Sequence, residues 1–332
     1  MIEVRQINNE EIEAQIGGSL LRNMDSLYID DVLASVDIGL NRLPTYLDLY
    51  RKSVKQAWSP DELDFSRDRE EWEHLSAQTK RRRIWSNRLF FDGEERVASL
   101  LAPFVWAAPN KEVEAFAASQ LADEVRHTIF FERYWREVVG TSARDLDELV
   151  EEVGIKPEEN EAYDYIFYRW LPEQAQWLAS HPRDLDTAVR FVTVYHLVVE
   201  GALFLTGMRY QLEGARRWER TWAYYKGFTA ATRDESRHVL FGVRYLRDMV
   251  KENPARFVPI ILKTIEDSLP LIESTMQPPR GDMSYYGGEH LQTAWPGYTP
   301  ELLREEMMEF ARSSLRRRLH AVGIAMETQM AA

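Results

Sequence analysis

Two five-residue stretches, DEVRH at 123–127 and DESRH at 234–238, differ only at their middle residue and lie 111 residues apart. Each places a carboxylate three residues before an imidazole, as Glu124 with His127 and Glu235 with His238. On a helix those positions are about 300° apart, on neighbouring parts of one face, so both side chains can reach the same ion. The spacing alone is weak evidence in a chain with seven histidines, and Glu71 with His74 in DREEWEHLS repeats it among charges that form no apolar face. The other two pairs lie on apolar stripes. Val113, Phe116, Ala117, Gln120, Glu124, His127, Phe131 and Trp135 recur at three- and four-residue steps, as do Phe228, Ala231, Glu235, His238, Phe241 and Tyr245. The polar pairs therefore point where a core should be.

Two more glutamates stand where apolar residues belong. Glu94 shares a helical face with Phe90, Val97 and Leu101, and Glu200 interrupts the apolar run FVTVYHLVVEGALFLTGM at 191–208. A buried, unpaired carboxylate costs several kcal/mol or takes up a proton, and that run holds no lysine or arginine to offset Glu200. Four inward carboxylates and two inward imidazoles make six ligands and a formal carboxylate charge of four minus. Two divalent cations neutralise it. A Glu from each of two helices and Glu-x-x-His from each of two others is the ligand pattern of ferritin-like dimetal bundles. Asp123 and Asp234 each stand four residues before a histidine. A ligating imidazole needs its second nitrogen held, and Asp234 is assigned to His127 on that ground. The competing reading pairs these aspartates with Arg126 and Arg237.

Positioning six such side chains requires helices. Apolar residues follow a helical period from about 65 to 275, and strand-like alternation is scarce. The predicted fold is all-α: a ferritin-like four-helix bundle core of the dimetal-carboxylate type with additional helices. It is read as a single domain over 1–332, with the metal-binding core at about 80–251. Long helices are predicted at 80–106, 111–139, 184–213 and 217–251, punctuated by Gly140, His181-Pro182, Gly214 and Asn253-Pro254. Shorter ones are expected at 8–24, 67–78, 160–179, 255–276 and 300–320. The Pro-, Gly- and aromatic-rich stretch 277–299 reads as an irregular loop or lid. Residues 191–208 approach the length of a membrane span. Their polar residues and lack of basic flanks favour a central bundle helix, and no membrane span is expected.

With no cysteine, thiolate ligands and nucleophiles are excluded, so any metal must be held by nitrogen and oxygen. Net charge is −13, which argues against a nucleic-acid partner. Basic clusters at Lys80–Arg83 and Arg316–Arg318 read as solvated helix faces. The first eighteen residues carry acids where a secretory signal would be basic and then apolar, so a cytoplasmic location is expected.

The chain resembles the ribonucleotide reductase small-subunit superfamily from about Ala57 to Met249. AWSPDELDFSRDREEWEHLS at 57–76 is similar to that superfamily's segment before the first ligand helix, including its tryptophan, here Trp58. Within the superfamily, Glu94-Glu95-Arg96-Val97, the Tyr195 and Glu200 spacing and VEGALFLTG resemble the ligand-binding oxidases. The resemblance implies two metal ions, Mn and Fe or two Fe, that activate dioxygen for a two-electron oxidation. It also implies a hydrophobic ligand such as a long-chain fatty acid beside the metals, an ether cross-link between Val97 and Tyr195, and a homodimer. The first thirty residues and 277–332 match poorly, so the pocket and its ligand are expected to differ. A tyrosyl-radical-free reductase small subunit is one rival, weakened because the last tyrosine is Tyr298 and the tail reads ETQMAA. A dimetal arylamine N-oxygenase is another, with His196, four residues before Glu200, as a candidate extra ligand. A metal-storage bundle is a third, and it would bind metal without consuming oxygen.

Overall fold

A computed structural model describes residues 28–218 and 222–325. It is helical, with no strand among the described residues. The helices are α1 Ile29–Asn41, α2 Tyr46–Lys55, α3 Ser66–His74, α4 Ala77–Trp106 and α5 Lys111–Tyr134, with α5 continued by a π-helical turn, Trp135–Val139. Then follow α6 Leu146–Val153 and α7, which runs from Glu161–Asp164 through a π-helical stretch Tyr165–Trp170 to Leu171–Ser180. The remainder are α8 Leu185–Arg217, α9 Ala223–Glu252, α10 Pro254–Thr275, α11 Glu289–Ala294 and α12 Pro300–Val322.

The bundle helices start where side chains can take up free amides. Ser76 accepts from Thr79 at the head of α4, and Asn110 from Glu112 and Val113 at the head of α5. Asp184 does the same for α8, accepting from Asp186 and Thr187. For α9 the cap comes from another helix: Asp68 of α3 accepts from Ala223 and Tyr224 at 3.1 Å each. Gly140 closes α5 at φ 87° and Gly323 closes α12 at φ 101°, backbone states that favour glycine.

The pair α4 and α5 packs against the pair α8 and α9, with α1 on α9 and α2 on α5. Helix α8 is enclosed by α9, α10 and α12, and its apolar window is 94 % buried. That enclosure explains a segment apolar on every side without a membrane. Its middle, Thr193–Phe204, is π-helical, with Leu205 N–H bonded to the Glu200 carbonyl five residues back.

Several boundaries differ from expectation. The segment 67–78 breaks after His74, because Ser76 opens α4 as its cap. The fourth long helix begins at Ala223 instead of 217. The stretch 277–299 contains α11 and two 3-10 turns. Helices α1, α2 and α6 were not predicted, and the expected helix at 8–24 lies outside the described residues. The basic clusters are only partly solvated. Arg81 and Arg317 are exposed, but Arg318 is buried and Arg82 is half-buried.

Candidate metal centre

Glu94 of α4, Glu124 and His127 of α5, Glu200 of α8, and Glu235 and His238 of α9 are fully buried and converge at mid-bundle. They form two overlapping clusters. Glu94, Glu124, His127 and Glu235 present ligand atoms within 4.8 Å of one another, and so do Glu124, Glu200, Glu235 and His238. Glu124 and Glu235 belong to both. His127 Nδ1 lies 3.2 Å from Glu94, 3.5 Å from Glu124 and 3.3 Å from Glu235. His238 Nδ1 lies 3.3 Å from Glu124, 3.4 Å from Glu200 and 3.7 Å from Glu235.

Both rings turn their other nitrogen outward onto a carboxylate. His127 Nε2 is 3.3 Å from Asp234, and His238 Nε2 is 3.2 Å from Asp123. Each aspartate thus holds the histidine of the other helix. The arginine reading holds as well, since a carboxylate has two oxygens. Arg237 Nη1 is 2.8 Å from Asp234 and its Nη2 3.1 Å from Asp123, while Arg126 is 2.6 Å from Asp123. Trp58 Nε1 donates to Asp234 at 2.8 Å, extending the run from His127 towards α2.

Burial pushes Glu94 up to about 8 against the pull of His127. Burial also pushes Glu200 well above the usual carboxylate range, and the Glu235 carboxylate adds to it. Glu124 is buried too, yet His238 and His127 beside it draw it down to about 2. Both histidines are desolvated, but the surrounding carboxylates hold them well above their ordinary value.

The donor chemistry fits a pair of cations. Both Glu235 oxygens, Glu94 Oε1, Glu124 Oε2, Glu200 Oε2 and His238 Nδ1 are buried without a hydrogen bond. So many orphaned acceptors facing one another are tolerable only around positive charge. Carboxylate oxygen with imidazole nitrogen suits Mn and Fe, and the outer aspartates fix the ring tautomers with Nδ1 inward. Glu71 and His74 do not join: Glu71 meets Arg83 at 2.8 Å, and exposed His74 bonds the Glu70 carbonyl.

Tyr195 is fully buried. Its hydroxyl lies 3.1 Å from the Val97 carbonyl and 3.3 Å from Glu124 Oε1, so the pair named from the sequence is brought together beside the carboxylates. His196 is not a ligand in this arrangement. Its Nε2 meets Gln120 Oε1 at 3.1 Å, and its ring packs over Gly242, outside both clusters. Gln120 is a site residue that the sequence reading counted only as part of an apolar stripe. Its amide donates to Glu200 at 2.7 Å and to Glu124 at 3.2 Å. Because it carries no charge, only its place one turn before Glu124 could have signalled it.

One turn from the ligands on the other side, aromatic rings close the layer. Phe90 contacts Phe204 at 5.8 Å and Phe228 at 4.9 Å between centroids. Phe90 lies against Gly207 and Phe204 against Gly93, where a Cβ would stand 2.8 Å and 2.7 Å from the ring. Beyond the rings is a cavity of about 150 Å³, lined mainly by apolar side chains of α4, α7 and α8 and covered by Tyr285, Tyr286 and Trp295 from 277–299.

Four helices that surround paired cations with two Glu and two Glu-x-x-His define a dimetal-carboxylate bundle. The ribonucleotide reductase small-chain family matches residues 41–269, more than half of the chain, and the chain belongs to that family. An R2-like ligand-binding oxidase with aerobically reconstituted Mn/Fe cofactor superposes with a TM-score of 0.68 at 23 % identity, covering 82 % of this chain and 92 % of that one. The R2-like ligand-binding oxidase of Sulfolobus acidocaldarius gives 0.65 at 22 %, covering 86 % and 93 %. At such identity the likeness is one of fold.

Proposed function

We propose that the protein is a dioxygen-activating dimetal oxidase, loaded with Mn and Fe or with two Fe, that acts on a hydrophobic, fatty-acid-like ligand. The observation that carries this reading is the pair of ligand clusters sharing Glu124 and Glu235. Metals held there supply the electrons that dioxygen takes up. The chain's own residues do the rest. Glu94 with His127 and Glu200 with His238 would hold one ion each, and Glu124 and Glu235, common to both clusters, would serve both. The oxygens that lack hydrogen bonds would be the ones to take up the ions. Asp234 and Asp123 keep protons on the outer histidine nitrogens, and the Phe90, Phe204 and Phe228 rings keep bulk water from the cavity side.

Support for an ether link between Val97 and Tyr195 is the 3.1 Å approach of the phenol to the Val97 backbone. Formation would join the phenol oxygen to the valine side chain and release two hydrogens, with dioxygen as oxidant. Peptide mass spectrometry after aerobic metal loading should find the joined peptides two hydrogens lighter than their sum. Free peptides alone would discard the link and leave the oxidase reading in place.

The central test is metal content and oxygen uptake of protein reconstituted with iron, or with iron and manganese. About two metals per chain and uptake abolished by Glu200→Ala are expected; far fewer metals, or unchanged uptake in the variant, would refute the reading. A reductase small subunit is the second reading, favoured by the hydrogen-bonded run Trp58, Asp234, His127. It requires radical transfer to a large subunit, so failure of the metal-loaded chain to support ribonucleotide reduction with one would exclude it.

A further inference from the structure

The π-helical middle of α8 ends in a carbonyl that its own backbone leaves unsatisfied. Leu205 N–H bonds the Glu200 carbonyl five residues back, and from Leu205 onward the chain is α-helical, with bonds reaching four residues back. The step from five to four passes over one carbonyl, that of Gly201. A buried carbonyl without a donor costs free energy, so something else must supply one. Arg318 of α12 does: its Nη1 donates to the Gly201 oxygen. The guanidinium is buried and makes no ion pair with a described residue, whereas its exposed neighbour Arg317 pairs with Asp37 at 3.2 Å. Residue 201 has to be small for this contact, since a Cβ there would stand 2.7 Å from Arg318 Nη1 and 2.8 Å from the His196 carbonyl.

Glu200 is the residue whose carbonyl makes the last five-residue bond, immediately before the step. A step that slid along α8 would turn each residue it passed by one helical position, about 100° around the axis. Glu200 would be the first ligand turned away from Glu124 and His238. We propose that Arg318 is a positioning residue: by holding the Gly201 carbonyl it fixes where the π-helical stretch ends, and so aims Glu200 at the ion of its half. The other half does not depend on this contact, because Glu94 and His127 stand on α4 and α5. Burial, with Arg317 adding to it, lowers Arg318 to about 9, while Asp37 and Glu200 draw it back up. The run 191–208 holds no basic residue of its own, and the fold brings this one to it from the last described helix.

The inference rests on the dimetal reading and deepens it by naming what sets the geometry of one ligand. The test titrates the full chain with cobalt(II) under nitrogen, reading affinity by chelator competition and coordination by the visible absorption of the bound ion. Arg318→Met should weaken one of the two ions at least tenfold and alter its absorption, while the other ion keeps its affinity. In a Glu200→Ala background, where that half is already lost, adding Arg318→Met should change neither affinity nor spectrum. Arg318→Lys, which keeps the charge and a donor, should lose less and guards against a folding defect in the methionine variant. Gly201→Ala, which keeps the arginine but crowds it off the carbonyl, should repeat the loss at the same ion. Equal weakening of both ions would reduce Arg318 to general support of the fold, and no weakening would remove its role. Tighter binding would show the guanidinium acting as a bare charge against the ion. Each of these three results overturns the inference and leaves the dimetal reading in place, whereas a parent protein that binds no cobalt refutes that reading itself.

Discussion

The two halves of the metal centre are alike in ligand type and unlike in surroundings. Each offers one terminal glutamate, one histidine and a share of Glu124 and Glu235. Around Glu200 and His238, neutral donors approach the carboxylates: Gln120 bonds both Glu200 and Glu124, and Tyr195 lies 3.3 Å from Glu124. Around Glu94 and His127 no such amide intervenes among the described residues, and the outer support is Asp234, which also accepts from Trp58. The difference teaches that a repeated motif need not make equivalent sites. Neutral donors lower the effective charge of one half, so an ion in the other must offset nearly all of its carboxylate charge.

The comparison can be broken most severely at the shared ligands. Glu235→Ala should lose both ions, whereas Glu94→Ala and Glu200→Ala should each retain one, as metal analysis after reconstitution will read. Loss of both ions in all three variants would mean that the halves do not load separately. Stripping the metals with a chelator should lower unfolding free energy by about 2.7 kcal/mol for each site held at a hundredfold excess over Kd, measured by urea titration. Next in size are Asp234→Asn and Asp123→Asn, each expected to weaken metal affinity by about 10–100-fold in chelator competition. Only Asp234→Asn should also change tryptophan fluorescence, by releasing Trp58. Gln120→Leu should cost about 1–3 kcal/mol of stability in the metal-free protein, measured by urea titration, because Glu200 and the shared Glu124 both lose a neutral donor. Smallest, and outside both halves, Asp68→Ala should cost about 1–2 kcal/mol of stability with unchanged metal content, because it removes the cap of α9.

The six ligands were legible because a carboxylate within an apolar stripe contradicts its surroundings, and that contradiction is visible in the residue order. Charge made the signal. Gln120 sits on the same stripe and bonds two of the ligands, yet a neutral amide raises no such conflict. Asp123 and Asp234 were read as holding either histidines or arginines, and two oxygens per carboxylate let them hold both. Periodicity misplaced Arg82 and Arg318, since a run of basic residues looks the same whether neighbouring helices cover it or water does. Proline, glycine and aromatics made 277–299 look irregular, although Glu289–Ala294 is a short helix there. Helices α1 and α2 owe their place to packing on α9 and α5, contacts that no local pattern records.

Arg318 has a consequence for the order of assembly. Its guanidinium, on the last described helix, donates to the Gly201 carbonyl next to Glu200, 117 residues earlier, and a Cβ on Gly201 would stand 2.7 Å from that group. During synthesis the backbone beside Glu200 stays without this partner until α12 has emerged and docked. The ligand layer therefore reaches its final shape only after α12 has docked, so metal captured earlier meets an unfinished cage.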